Sequence, residues 1–262
     1  MCRSRIVRGA GEPASRPSDG SARALLGELS ETAMVLAAGL GTRMRPLSET
    51  MPKCLLPVGG RSPLDRALDR LAAAGIETVV VNLHYRGEAI RRHLAARRAP
   101  RIVFSDESAR LLDTGGGVAK ALPRLGAKPF LVVNAISLWL DAGRDSLERL
   151  AQAFDPARMD ALLLLHPRAT AVGYEGAGDF ALASDGRLAR RPPAGEAEFV
   201  FTGVQVLRPE LFADVPAGPF SLNLLYDKAA TEGRLFGLPH QGTWLNLKTP
   251  AALAAAERAL SR

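Results

Sequence analysis

From residue 33 onward, short apolar runs alternate with segments whose apolar positions recur at helical spacing. The runs 33–38, 78–83, 101–104, 130–134 and 161–165 read as strands, bare of alternation as strands covered on both faces are. Between them, 63–75, 87–97, 116–125 and 145–154 read as helices. In the first of these Leu64, Ala67, Leu68 and Leu71 share one face, and Gly75 supplies a stop. Strands separated by helices of this length predict βαβ units and an α/β fold with a mostly parallel sheet. After Pro167 the rhythm changes. Segments 180–183 and 187–190 flank Ser184-Asp185-Gly186 as a hairpin, 199–207 reads as a further strand, and 220–232 and 250–260 as helices. No linker rich in proline, glycine or serine separates the halves, so 33–262 reads as one domain with a small β elaboration behind an α/β core. Residues 1–32, rich in Arg, Ser, Gly and Pro apart from a short helical stretch at 22–29, read as a disordered tail or as sequence upstream of the true start.

Composition narrows the classes. The chain has 262 residues, 47% hydrophobic and 23% charged, as ordinary globular domains have. Its longest clean apolar runs, such as 161–165, are too short to span a bilayer, so no membrane role is expected. Two cysteines, Cys2 and Cys54, cannot build a disulfide framework and point to a reducing cytoplasm. Cys54 is read as buried and structural. The net charge of +7 and the cluster Arg91, Arg92, Arg97, Arg98 and Arg101 raise nucleic-acid binding, but only 5% of residues are aromatic and none interleave these arginines. A solvated helix end is the reading, with no nucleic-acid partner. His84, His93, His166 and His240 lack zinc spacing. Nothing in the pattern points to an oligomeric state.

Candidate chemistry begins at the end of the first strand, with Ala37-Ala38-Gly39-Leu40-Gly41-Thr42-Arg43. Glycines there let backbone N–H groups approach an anion, and strand carboxyl ends are where α/β sheets bind ligands. Arg43 adds a fork matched to phosphate oxygens. Met44 stands where a dinucleotide fingerprint needs its third glycine, and no Walker lysine follows. Lys53 is notable because lysine is the uncommon cation here, five among 34 basic residues.

The run Ala37-Ala38-Gly39-x-Gly41-Thr42-Arg43-x-x-Pro46, followed by Pro52-Lys53, resembles the signature of the sugar-phosphate nucleotidyltransferases. Asp113-Thr114-Gly115-Gly116-Gly117, the strand 130–134, Gly178-Asp179-Phe180, Phe201-Thr202-Gly203 and the stretch 244–250 extend the resemblance over 33–262. It is nearest to N-acetylmuramate-1-phosphate uridylyltransferases and the mannose-1-phosphate guanylyltransferase-like group. The resemblance implies a Rossmann-like mixed sheet flanked by helices, and an enzyme joining a nucleoside triphosphate (UTP favoured) to a sugar 1-phosphate (N-acetylmuramate 1-phosphate favoured) with release of pyrophosphate. Its place would be nucleotide-sugar metabolism of the bacterial cell wall. It further implies that Arg43 and Lys53 act at the reacting phosphates. Ala38, Gly39, Gly41, Thr42, Asn82, Thr114, Gly115 and Gly116 would bind nucleotide, Asn82 reading the base or capping its turn. Asn134, Gly178, Thr202 and Gly203 would face the sugar.

One departure is sharp. The family's Mg²⁺ is expected between two aspartates, at positions that here hold Ile136 and Asn246. Ile136 has no ligand atom, Asn246 is neutral, and magnesium asks for carboxylate oxygens. Lys248 stands where glycine is usual and would bring a fixed positive charge toward the pyrophosphate. Asp141 is not expected to replace the lost ligands, and Asp106 and Glu107 read as solvated turn acids. A catalytically degenerate protein that still binds nucleotide or sugar phosphate is therefore the alternative to an active transferase.

Overall fold

The computed structural model describes residues 26–261. The strand β1 (Thr32–Leu36) starts the sheet; the helix α1 (Pro63–Ala73) crosses to β2 (Thr78–Leu83), α2 (Gly87–Leu94) to β3 (Arg101–Asp106), and α3 (Asp113–Leu125) to β4 (Phe130–Asn134). β2 and β4 flank β1 in parallel, and β3 lies beside β2. β1, β2 and β4 are buried nearly throughout, as the unbroken apolar runs require, while the edge strand β3 is only partly buried. α1 begins where Ser62 caps it, accepting from Asp65 N–H at 3.0 Å with Pro63 in the first turn. Such a cap contributes about 1 kcal/mol. The face carrying Leu64, Leu68 and Leu71 is wholly buried, each leucine contributing roughly 1.5–3 kcal/mol.

The sheet then becomes mixed. β6 (Ala161–Pro167) follows β5 (Leu138–Asp141) and α4 (Ser146–Ala153). The hairpin β7 (Phe180–Leu182) and β8 (Leu188–Arg190) comes next, ahead of β9 (Phe199–Leu207). β9 inserts antiparallel between β4 and β6. After α5 (Asn223–Thr231), β10 (Leu235–Pro239) closes the far edge parallel to β6. β11 (Gly242–Leu245) pairs with β5 in a separate two-stranded ribbon, and α6 (Pro250–Leu260) ends the described chain. The sheet has nine strands, in the order β10-β6-β9-β4-β1-β2-β3 with the hairpin beside β9.

Two sequence expectations are corrected. The folded body starts before residue 33: Leu26 and Leu29 are buried in the core, and Ser30 Oγ donates to Leu125 O at 3.0 Å. Apolar side chains drawn into the core outweigh the polar composition around them. Residues 1–25, including the first half of the 22–29 stretch, lie outside the described residues. β5, β10 and β11 went unforeseen. They are four or five residues long, and Gly237, Pro239 and Gly242 read as breakers. The arginine cluster is partly neutralised in place: Arg91 meets Glu88 and Asp106, and Arg97 meets Asp65 and Asp69.

Candidate active site

At the carboxyl ends of β1, β2 and β4 a cleft opens in two lobes. The larger, about 660 Å³, is walled by Ala38, Gly39, Arg43, Lys53 and Asn82, and by Thr114 on the far side. The smaller, about 220 Å³, reaches Ser137, Gly178, Asp179, Thr202, Arg190 and Asn246. Asn134, Ile136, Phe201, Asn223, Tyr226 and Lys248 line both, so the lobes meet there.

The glycine turn is held from below. Asn82 is buried; its Oδ1 accepts from Ala37 N at 2.7 Å and Ala38 N at 3.3 Å, while its Nδ2 donates to Glu107 Oε1 at 2.8 Å. Gly41 takes φ +70°, and its carbonyl accepts from Ser48 Oγ at 2.8 Å. Gly39 leaves room for Lys53: a Cβ there would stand 3.0 Å from Lys53 Nζ. Burial above all, with repulsion from Arg43 and Lys248, lowers the Lys53 pKa below the usual lysine value. Lys248 is lowered by burial too, Arg43 adding to the effect and Asp179 opposing it.

Ala38, Gly39, Arg43, Lys53, Asn82 and Thr114 border the larger lobe, and Asn134, Gly178 and Thr202 the smaller. Gly41 and Thr42 shape the turn one step back, in the short 3₁₀ segment Thr42–Met44 and its cap. The Asn82 amide is spent on the loop backbone and Glu107, which fits turn capping better than base reading. Gly115 and Gly116 have a different duty from the one expected. Both N–H groups donate to Phe220 O, at 2.9 and 3.1 Å, and added Cβ atoms would lie 2.3 Å from the Phe220 ring and 2.4 Å from Gly218 O. They admit the 218–220 segment against the first turn of α3, rather than a base. Gly203, at φ +88°, likewise permits close packing on Asn134 and Ser137. The Thr202 hydroxyl donates to Leu164 O at 2.8 Å, so its side chain is engaged within the sheet.

Glu107 is the clearest error of the sequence reading. It is 1% exposed, not solvated, and its second oxygen accepts from Leu112 N at 3.1 Å. A strand-end acid among charged neighbours gives no sign of that burial. Pro219, Ser221 and Leu222 also border the cleft with no signal in the sequence, while Asp113, at φ +58°, belongs to the glycine segment that carries the resemblance. Asp179 and Phe201, within two further motifs of the resemblance, line the smaller lobe as well.

A glycine turn at strand carboxyl ends, a second lobe for an acceptor and a cluster of cations where the lobes join define a nucleotidyltransferase. The chain belongs to the MobA-like NTP transferase domain family, whose model matches residues 33–173. It is 46% identical over 234 residues to the N-acetylmuramate alpha-1-phosphate uridylyltransferase of Caulobacter vibrioides, covering 87% of this chain and 96% of that protein. To the enzyme of the same name from Neisseria meningitidis it is 36% identical over 86% and 96%. The mannose-1-phosphate guanylyltransferase catalytic subunit beta of Danio rerio is more distant, at 24% over 83% and 61%. The fold is that of UDP-glucose pyrophosphorylase complexed with UDP-glucose, at TM-score 0.71, 15% identity and coverage of 89% and 99%.

The metal that the resemblance implies does not fit the residues present. Ile136 brings a hydrocarbon to the junction of the lobes. Both ends of the Asn246 amide are engaged: Nδ2 donates to Gly173 O at 2.7 Å, and Oδ1 accepts from Lys248 N at 3.3 Å. Asp141 is spent on Arg70, Ser146 and His240. Among the described residues no three His, Cys, Asp or Glu side chains group as metal ligands do.

Proposed function

We propose that the protein transfers a uridylyl group from UTP to N-acetylmuramate 1-phosphate. A phosphate oxygen of the sugar phosphate forms a bond to the α-phosphorus of UTP. The bond from that phosphorus to the bridging oxygen breaks, and pyrophosphate departs with the electron pair. This chain's part is positioning and charge stabilisation, which dominate phosphoryl-type transfer. The glycine turn would cradle the phosphates, Arg43 and Lys53 would offset charge developing on them, and the smaller lobe would hold the sugar. The observation that carries the reading is the meeting of the two lobes beside these cations. The choice of base and sugar is supported by the two uridylyltransferase relatives.

A second reading, binding of both ligands without turnover, is favoured by Ile136 and Asn246. Loss of one electrostatic catalyst removes about two to three orders of magnitude in rate. Pyrophosphate release separates the readings. The transferase predicts turnover with UTP and N-acetylmuramate 1-phosphate, exceeding that with GTP and mannose 1-phosphate. Ligand binding with no release from either pair would establish the second reading.

A further inference from the structure

We propose that the Lys248 ammonium takes the place of a divalent cation where the lobes join, so that the site binds the free polyphosphate of a nucleoside triphosphate without metal. This rests on reading the larger lobe as the nucleotide site. Lys248 is one of six residues common to both lobes, and the bridging phosphates of a nucleotide would lie there.

Three cations border the larger lobe, Arg43, Lys53 and Lys248, against the single acid Asp113. Among the described residues, none of the three cationic groups has an ion-pair or hydrogen-bond partner. Arg70, Arg97 and Arg208, by contrast, are each paired with a carboxylate. Three crowded like charges, opposed near Lys248 only by Asp179, raise the free energy of the empty site, and a polyanion relieves that repulsion. The acids at hand are committed: Asp113 Oδ1 accepts from Thr114 N at 2.6 Å, and Asp179 Oδ2 from Phe201 N at 2.8 Å. A magnesium ion entering here would meet Ile136 in place of a carboxylate, and three positive neighbours. The fully charged triphosphate is therefore the favoured ligand over its magnesium complex.

Calorimetric titration with UTP and with inorganic tripolyphosphate, in EDTA and in saturating magnesium, tests this. Both ligands are expected to bind in EDTA, at least as tightly as with magnesium. Lys248→Met should weaken both in EDTA by about tenfold or more, as loss of one charge-assisted contact does, while Lys248→Arg retains most of the affinity. Ile136→Asp should reverse the metal preference, weakening UTP in EDTA and restoring it with magnesium. This second variant decides the matter if Lys248→Met fails to fold. Binding of either ligand by the unaltered protein only when magnesium is present would overturn the proposal, as would a folded Lys248→Met protein with unchanged tripolyphosphate affinity. Tripolyphosphate binding without metal while UTP does not bind would uphold the cation site and reject the uridylyl reading alone.

Discussion

Asn82 ties Glu107 to the glycine turn: one end of its amide donates to the buried carboxylate, and the other accepts from the backbone of Ala37 and Ala38. Gly117 makes the arrangement feasible, since a Cβ there would sit 2.9 Å from Glu107 Oε1 and 3.0 Å from Asn82 Nδ2. The turn that faces the cleft is thus fixed by a side chain of β2 and an acid at the end of β3.

Asn82→Ala leaves a buried N–H without its acceptor and a buried carboxylate short of one donor. The expected cost is about 1–3 kcal/mol of stability, read as a lower urea midpoint, with weaker nucleotide affinity as the turn loosens. A variant matching the parent in both measurements would show that the turn holds itself.

Two glycines should separate stability from activity. Gly39→Ala meets only the mobile end of Lys53, so the melting temperature should barely change while turnover or nucleotide binding falls. Gly203→Ala must hold φ +88° with its Cβ 2.2 Å from Ser137 Oγ. Its expected loss is about 1–3 kcal/mol, visible in thermal unfolding. Equal melting temperatures for the two variants would contradict this division.

A hydrogen-bonded chain runs from the exposed Thr170 through the buried His166 and His240 to the half-buried Asp141, with the facing Nδ1 atoms of the two rings 3.2 Å apart. Two cationic rings would bring two N–H groups head to head, so the chain accommodates one added proton at most. Burial first, then repulsion from His240, lowers the His166 pKa below 6.5. The unfolded chain therefore binds protons here before the folded one does. Stability should be fullest above pH 6.5 and fall as the pH drops below it, down to the lowered folded value. His166→Phe should flatten that part of the curve in denaturant titrations at stepped pH. Burial opposes ionisation of Asp141, yet bonds from His240, Ser146 and Arg70 hold its pKa well below 3.8. Its contribution is present above 3.8 and disappears only in stronger acid. An unchanged slope in His166→Phe would place the pH dependence elsewhere.

Cys54 is 1% exposed, and burial pushes its thiol up to about 12 despite the adjacent Lys53. Since the thiolate is the reactive form, iodoacetamide at about neutral pH should leave Cys54 unmodified in the folded protein and label it after denaturation. Peptide mapping by mass spectrometry reads this directly.

β1, β2 and β4 were legible because burial on both faces leaves unbroken apolar runs, and the helices between the strands because one buried face repeats at helical spacing. The short strands β10 and β11 were not, since their pairing depends on partners far along the chain: Leu235 opposite Ala161, and Trp244 opposite Trp139. Glycine motifs located the cleft, but not what each glycine is for. Space is relational, and only the fold shows that Gly115 faces Phe220 rather than a ligand. Glu107 was opaque for the same reason, because nothing local marks a carboxylate whose donors come from Asn82 and Leu112.

The β7–β8 hairpin borders the smaller lobe, yet its backbone joins the main sheet through Phe180–Phe199 and an Arg187–Phe236 bridge. Substitutions or length changes at its tip, Ser184-Asp185-Gly186, fall outside the β1–β4 frame that holds the glycine turn. On the proposed reading, exchange of the hairpin residues that do line the smaller lobe, Phe180 and Arg190, alters the acceptor side without touching the glycine turn, giving the fold one replaceable half and one that is not.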